Sequence, residues 1–217
     1  MTAIERTFVF ADLSGYTALT EAHGDEDAAA VAGRFAEIAR SVIDGSGRLV
    51  KTVGDAVMLA LDTPEHALRT VSALRAVCVG EPRFPALRVG MHHGHAIERD
   101  GDYFGAAVNL AARVAAHAAL DQILCTELVA EACKALPGFQ AHCLGEVTFK
   151  NVNDPVVVFE VRMERATGTV NIDPVCRMRV DPATALRVVV DGEAHMFCSE
   201  SCANVFSHRR ASKAFTA

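Results

Sequence analysis

Two carboxylates stand where turns of the backbone would expose them. Asp55 follows Gly54 between two short apolar runs in Arg48 to Met58, and glycine at the first central position suits a two-residue type II′ hairpin with the aspartate at its tip. Asp12 ends another apolar run, Thr7 to Ala11, just ahead of Ser14-Gly15, which reads as a turn into a helix. A strand running into a helix start leaves backbone N–H groups pointing beyond the carboxylate, the outline of a phosphate site. Carboxylates on adjacent β elements could hold two divalent cations for phosphoryl chemistry, one activating a hydroxyl and the other steadying the phosphates. Lys51 interrupts the first strand of the hairpin, where an unpaired ammonium would be costly to bury and therefore implies a partner. Asn109 and Arg113 are four apart in an alanine-rich stretch, so they share a helix face from which Arg113 could meet charge developing on phosphorus. Taken singly, each has a plainer reading: a turn aspartate, a solvent-facing lysine, a solvated helix face.

A second group of reactive residues lies in the tail. Cys176, Cys198 and Cys202 have the spacing C-x21-C-x3-C, with the last pair one helical turn apart and so on one face. Thiolates so placed suit Zn²⁺ or, being soft, Cu(I); three buried thiols in a small core is the plainer alternative. Cys78, Cys125, Cys133 and Cys143 are scattered and read as small apolar side chains.

The elements that must carry these residues follow from pattern. A helix fits Asp25 to about Ile43, acidic in its first turn and apolar at Val31, Phe35, Ile38 and Val42. Thr63-Pro64 is a cap and first position for a helix ending near Gly80. Ala86–His92 reads as a strand with His95–Glu98 as a neighbouring one, then Asp100-Gly101 as a turn. Asp102 to Arg113 leads into a helix, and strand Gln122–Thr126, helix Glu127–Leu136 and strands near Glu146–Lys150 and Pro155–Met163 complete this part. Strands and helices mingle without strict alternation, which predicts α+β. The small, polar Arg165-Ala-Thr-Gly-Thr169 marks a boundary. The tail has an Asp-Pro turn, a strand pair at Leu186–Val190 and Ala194–Cys198 and a short helix through Cys202. It is too short for a self-sufficient core, so a metal or docking should hold it.

At 217 residues and 51% apolar, the chain has ample material for a core. A net charge of −6 without any basic run argues against a nucleic-acid surface. No apolar run is long enough for a membrane span and the N-terminus lacks the layout of a secretory signal, so a cytoplasmic protein with free thiols is expected. The acid excess lies before residue 166, and an anionic substrate there would need a metal.

The motifs Phe10-Ala-Asp-Leu-Ser-Gly-Tyr-Thr17, Lys51-Thr-Val-Gly-Asp55, Leu87-Arg-Val-Gly-Met-His-His-Gly94, Asp102-Tyr-Phe-Gly105, Val108-Asn-Leu-Ala-Ala-Arg113 and Phe149-Lys150 together resemble the class III nucleotidyl cyclases, from about Thr7 to Val161. The resemblance implies a ferredoxin-like, palm-type α+β catalytic domain over residues 1–165. It implies Asp12 and Asp55 as ligands of Mg²⁺ or Mn²⁺, two per site, and Lys51 and Asp102 as readers of the base. Asn109 and Arg113 would stabilise the transition state, Lys150 would contact the triphosphate, and Gly15, Tyr16 and Thr17 would bind substrate. These residues come from two chains in the family, so a head-to-tail homodimer follows. Adenine offers an acceptor at N1 and a donor at N6, which an ammonium and a carboxylate satisfy, so Lys51 with Asp102 selects ATP. The departures are Ala56 and Asn151 where Gly is common, and His93 and His95 where Thr and Glu are usual.

Asp173-Pro-Val-Cys-Arg-Met178 and His195-Met-Phe-Cys-Ser-Glu-Ser-Cys202 with Phe206 resemble the YHS domain, a small treble-clef-like metal-binding module, here residues 170–217. Arg177 stands there in place of the usual Gly. Cys176, Cys198 and Cys202 leave a fourth ligand open, with His195 and His208 as candidates. The rival expectation is a dimer that binds nucleotide without turning it over and reports metal through its tail.

Overall fold

The computed structural model describes residues 2–163, 171–190 and 192–214, the side chains of 209–214 excepted. The expected boundary at Arg165–Thr169 lies outside the described residues. An eight-stranded sheet organises the first part, in the order β2 (Gly47–Val53), β3 (Ala56–Leu61), β1 (Thr2–Leu13), β4 (Leu87–Arg99), β6 (Ile123–Thr126), β8 (Val156–Met163), β7 (Phe139–Val147), with β5 (Asp102–Phe104) paired to the far end of β4. Neighbours are antiparallel except β4 and β6. The architecture is α+β.

Alternation along β1 and β3 splits the core between two faces. Val9, Ala11, Leu13, Val57, Leu59 and Leu61 point one way, under α2 (Asp25–Ser41), α3 (Pro64–Gly80) and α5 (Glu127–Cys133). Phe8, Met58 and Ala60 point the other way, under α4 (Ala106–His117) and Tyr103. The α3 start is capped as expected, Thr63 accepting from the His66 N–H at 3.3 Å with Pro64 at the first position. No helix among the described residues is long and apolar enough to cross a membrane.

Two expectations need correction. Ala86–His92 and His95–Glu98 are not neighbouring strands but one strand, β4, because β1 pairs with it without a break from Leu13↔Leu87 to Thr2↔Glu98. The turn at Asp100-Gly101, with φ of 52° and 78°, returns the chain as β5. The strand expected near Glu146–Lys150 instead runs from Phe139 and ends at Val147.

Helix α4 sits directly on β4. A Cβ built on Gly90 would fall within the backbone of Val114 and Ala115, so only glycine permits this approach. Gly90→Ala is expected to destabilise the fold by ~1–3 kcal/mol, read as a lower urea midpoint; an unchanged midpoint would contradict the packing described.

The tail folds onto this body. It contains β9 (Asn171–Ile172) paired with β10 (Arg179–Val180), β11 (Leu186–Val190) paired with β12 (Glu193–Phe197), and α6 (Glu200–Ala214). Val175, Met178, Val180, Phe197 and Ala203 form one apolar cluster with Leu19 and Ala28 of the first part. Met178 also bridges to Pro85, the Arg179 N–H donates to the Phe84 carbonyl at 3.1 Å, and the Arg179 guanidinium pairs with Asp121. Docking therefore supplies the core that so short a tail cannot build alone.

Candidate active site

The sheet register assembles the first cluster. Ala56 and Arg88 stand directly opposite Asp12 on its two neighbouring strands, so Asp55, Asp12 and Arg88 form a row across the turn, β1 and β4. The Gly54-Asp55 turn is as expected: Val53 pairs with Ala56, and Gly54 has φ 60°. Burial first, and then the adjacent Asp12 carboxylate, push the Asp55 carboxyl up from 3.8 to about 6. Like charges held this close favour a proton or a cation between them. Arg88 pairs with Asp12 through one Nη2, while its Nε and the Ser14 Oγ are buried with no hydrogen-bond partner among the described residues. Two carboxylates, an arginine and an orphaned hydroxyl fit a divalent cation together with an anionic ligand.

The raised Asp55 has a measurable sign. Its folded pKa exceeds the unfolded value, so without divalent cation its stabilising contribution is present below about 3.8 and is lost as pH rises through about 6. Wild type should therefore lose stability relative to Asp55→Asn between about pH 4 and 7; a difference that does not change with pH would contradict it.

Lys51 and Asp102 form the second cluster. A bulge between Leu49 and Lys51 shifts the register of β2 against β3 and re-aims Lys51. The β4–β5 hairpin reaches across the same face, with Tyr103 edge-on to Phe8 at 5.4 Å and Glu98 paired to Arg48 at 2.9 Å. The Lys51 Nζ donates to Asp102 at 2.6 Å, and the Tyr103 N–H holds the other carboxylate oxygen at 2.8 Å. The hydrogen bond from Lys51 holds the Asp102 carboxyl below its ordinary value. The partner that Lys51 implied is thus one of the other expected site residues.

Asn109 and Arg113 lie exposed on one face of α4, with no side-chain partner among the described residues. Lys150 is exposed beyond β7, anchored by the buried Phe149, which meets His117 edge-on. Asn151 has φ 64°, which explains why this residue can stand where Gly is common: asparagine tolerates the left-handed region. Gly15, with φ 80°, opens α1 (Tyr16–His23), so Tyr16 and Thr17 occupy its first turn, where backbone N–H groups lack helical acceptors. His93 packs against Thr7 at 2.9 Å and His95 faces solvent.

Residues 3–162 match the family model described as the adenylate and guanylate cyclase catalytic domain. The chain belongs to this family. Its cyclase domain is similar to a pH-sensitive adenylate cyclase of Mycobacterium tuberculosis, 38% identical over 159 residues, covering 72% of this chain and 40% of that protein. An adenylate cyclase of Streptomyces coelicolor is 36% identical over 123 residues, covering 56% of this chain and 32% of that protein. The chain thus spans less than half the length of these relatives. In fold it is similar to Trypanosoma brucei adenylate cyclases solved in their monomeric state, with a TM-score of 0.67 and 22% identity, covering 82% of this chain and 93% of that one.

Away from these candidate residues of the cyclase domain, the tail cysteines converge. Cys176, Cys198 and Cys202 meet His23, the last residue of α1, and the four ligand atoms lie within 4.8 Å of one another. Hydrogen bonding from Cys176 draws the Cys198 thiol below its ordinary pKa and pushes Cys176 up. Neither candidate for the open position joins the cluster. The His195 ring packs on Phe206 at 4.7 Å and near Phe197, and its Nε2 lies 4.0 Å from Glu193; His208 is exposed on α6. Arg88, Ser14 and His23 are candidate site residues that sequence reasoning missed. Arg88 sat inside a quoted motif, whereas nothing in the spacing of His23 ties it to the cysteines.

Proposed function

We propose that this chain is an adenylate cyclase, converting ATP to 3′,5′-cyclic AMP and pyrophosphate at sites formed between two head-to-tail copies. The cyclase domain occupies residues 1–165, and residues 170–217 form a YHS-like accessory unit in which Cys176, Cys198 and Cys202 bind metal. The observation that carries the substrate assignment is the Lys51–Asp102 pair at 2.6 Å. Side by side, these groups present a donor for adenine N1 and an acceptor for the N6 amino group, whereas guanine offers the opposite polarity at both positions.

The 3′-oxygen attacks the α-phosphorus in line, a new O–P bond forms, and the bond to the β-phosphate oxygen breaks to release pyrophosphate. The 3′-hydroxyl gives up its proton to solvent water as it attacks. Asp12 and Asp55 would hold Mg²⁺ or Mn²⁺, whose chemistry is to ease that deprotonation and neutralise phosphate charge. Arg88 and the α1 turn at Gly15, Tyr16 and Thr17 border the carboxylates and receive the polyphosphate, with Lys150 adding a further cation. Asn109 and Arg113, projecting from the partner copy, stabilise the transition state, Arg113 meeting charge growing on the phosphorus. The exposure of both α4 residues suits groups that act across an interface.

Purified protein assayed side by side with ATP and GTP in Mn²⁺ tests the assignment. Equal amounts of cyclic AMP and pyrophosphate from ATP, with much slower turnover of GTP, are expected. Nucleotide binding without product, or release of orthophosphate, would overturn it.

A further inference from the structure

We propose that His23 completes a four-ligand Zn²⁺ site with Cys176, Cys198 and Cys202, and that this site clamps the tail to helix α1 of the cyclase domain. The ligand assignment rests on the reading of the tail as a metal-binding unit, and only its coupling to the nucleotide pocket rests on the cyclase reading.

Four of the six ligand–ligand edges are close to those of a coordination shell, and all six lie within 4.8 Å. A tetrahedral Zn²⁺ with Zn–S of ~2.3 Å and Zn–N of ~2.0–2.1 Å requires S···S edges of about 3.8 Å and S···N edges of about 3.6 Å. Cys176 and Cys198 are separated by 3.5 Å and Cys198 and Cys202 by 3.6 Å, and His23 Nε2 lies 3.5 Å from both Cys198 and Cys202. Three thiolates and one imidazole in a closed shell are a structural zinc set, and the nitrogen ligand and fourfold count favour Zn²⁺ over Cu(I).

The ligands are held by built structure. Asp173 is fully buried, and its carboxylate accepts from the N–H groups of Val175 at 2.7 Å, Cys176 at 3.2 Å and Cys198 at 2.8 Å. Burial raises its pKa, but these donors outweigh that and the net shift is downward. Asp173 thus joins the loop that carries Cys176 to the end of β12 that carries Cys198, the kind of outer support that orients metal ligands. Cys202 sits in the first turn of α6, which fixes its direction.

The clamp reaches the nucleotide pocket through α1. One end of this helix carries His23; at the other, a Cβ on Gly15 would lie 2.5 Å from the Cβ and Cγ of Arg177. Arg177 follows Cys176 directly and has φ 64°, a left-handed turn that aims its stem at Gly15. The tail therefore grips both ends of the helix that opens on the phosphate-facing turn, two residues beyond Leu13. Zinc occupancy fixes the position of that turn relative to Asp12.

Zn²⁺ titration and Co²⁺ substitution on the full chain test this directly. Wild type should bind one Zn²⁺ per chain, and its Co²⁺ form should show the thiolate charge transfer and visible bands of a tetrahedral S₃N centre. His23→Ala should weaken Zn²⁺ by more than the ~10–100-fold that follows loss of an outer-shell partner and change the Co²⁺ bands. His23→Cys should restore affinity with an S₄ spectrum, which guards against a mere folding defect, and His195→Ala should leave both readouts unchanged. Wild-type affinity and spectrum in His23→Ala, or their loss in His195→Ala, would overturn the ligand assignment. Preference for Cu(I) over Zn²⁺ in competition would overturn the metal. Removing zinc in excess Mg²⁺ should lower kcat/KM for ATP several-fold in wild type and not in His23→Ala. Indifference of an active enzyme to zinc would overturn the coupling, whereas an inactive chain that still binds zinc through His23 would sink only the cyclase reading.

Discussion

Asp55→Ala is expected to reduce cyclic AMP formation by ~10²–10³-fold or more, the scale set by removing a group that stabilises transition-state charge. The same substitution should not cost stability. Asp55 occupies the hairpin tip, but the unusual backbone angle belongs to Gly54, at φ 60°, so alanine can take the place of the aspartate without straining the turn. Removing Asp55 also relieves its burial beside Asp12, which holds its carboxyl up near about 6. The metal-free variant should therefore be as stable as wild type or more so at neutral pH. Activity measured over a range of Mn²⁺, beside thermal unfolding, separates the two effects. Undiminished turnover would refute the role of Asp55 as a cation ligand, and lost activity with a collapsed midpoint would show that the turn, rather than the carboxylate, is what the variant disturbs.

The second large effect concerns the base. Wild type should prefer ATP over GTP by ~10²-fold, below the ~10⁴-fold of a dry pocket that leaves polar groups unpaired against the wrong ligand. The smaller figure follows from the setting of the pair, whose side chains are 41% and 30% exposed. The double variant Lys51→Glu with Asp102→Lys keeps an ion pair between β2 and β5 but reverses its polarity. A carboxylate would then face guanine N1–H, and an ammonium would face O6. The ratio of kcat/KM for ATP to that for GTP should fall below unity. If the double variant keeps the wild-type order of preference while remaining active, the pair does not read the base.

Much of this site was legible because its residues sit at positions that local rules define. A Gly-Asp pair between apolar runs specifies a tight turn, and an alanine-rich stretch carries Asn109 and Arg113 at helical spacing, so their faces follow from periodicity. Lys51 was marked by its misfit in an apolar strand, although the bulge that aims it at Asp102 has no signature in the chain. Other features depend on partners far away in sequence. The unbroken run of β4 is imposed by β1, whose full length pairs with it, a long-range pairing that the local pattern of Ala86–His92 and His95–Glu98 does not carry. The early start of β7 follows likewise from pairing with β8, from Phe139↔Met163 onward. His23 ends a short helix in a different part of the chain from the cysteines, and only the docking of the tail on Leu19 and Ala28 brings them together. His195, close to Cys198 in sequence, was the natural candidate, but alternation along β12 and the aromatic pair Phe197 and Phe206 turn it elsewhere. One departure from the resembled motifs was explained by the backbone: Asn151 adopts a positive φ that asparagine tolerates, whereas Arg177 holds the same left-handed conformation, at φ 64°, without that tolerance.

The claim on which the reaction rests is that each pocket draws its carboxylates from one copy and its transition-state groups from the other. Mixing two inactive variants, Asp55→Ala and Arg113→Ala, measures this directly. In a freely exchanging equal mixture half of the dimers are heterodimers, and each of these holds one intact pocket and one doubly defective one, so activity should return to about a quarter of wild type. Mixtures as inactive as the separate variants, under conditions where exchange is demonstrated, would place both groups within a single copy and contradict the shared pocket.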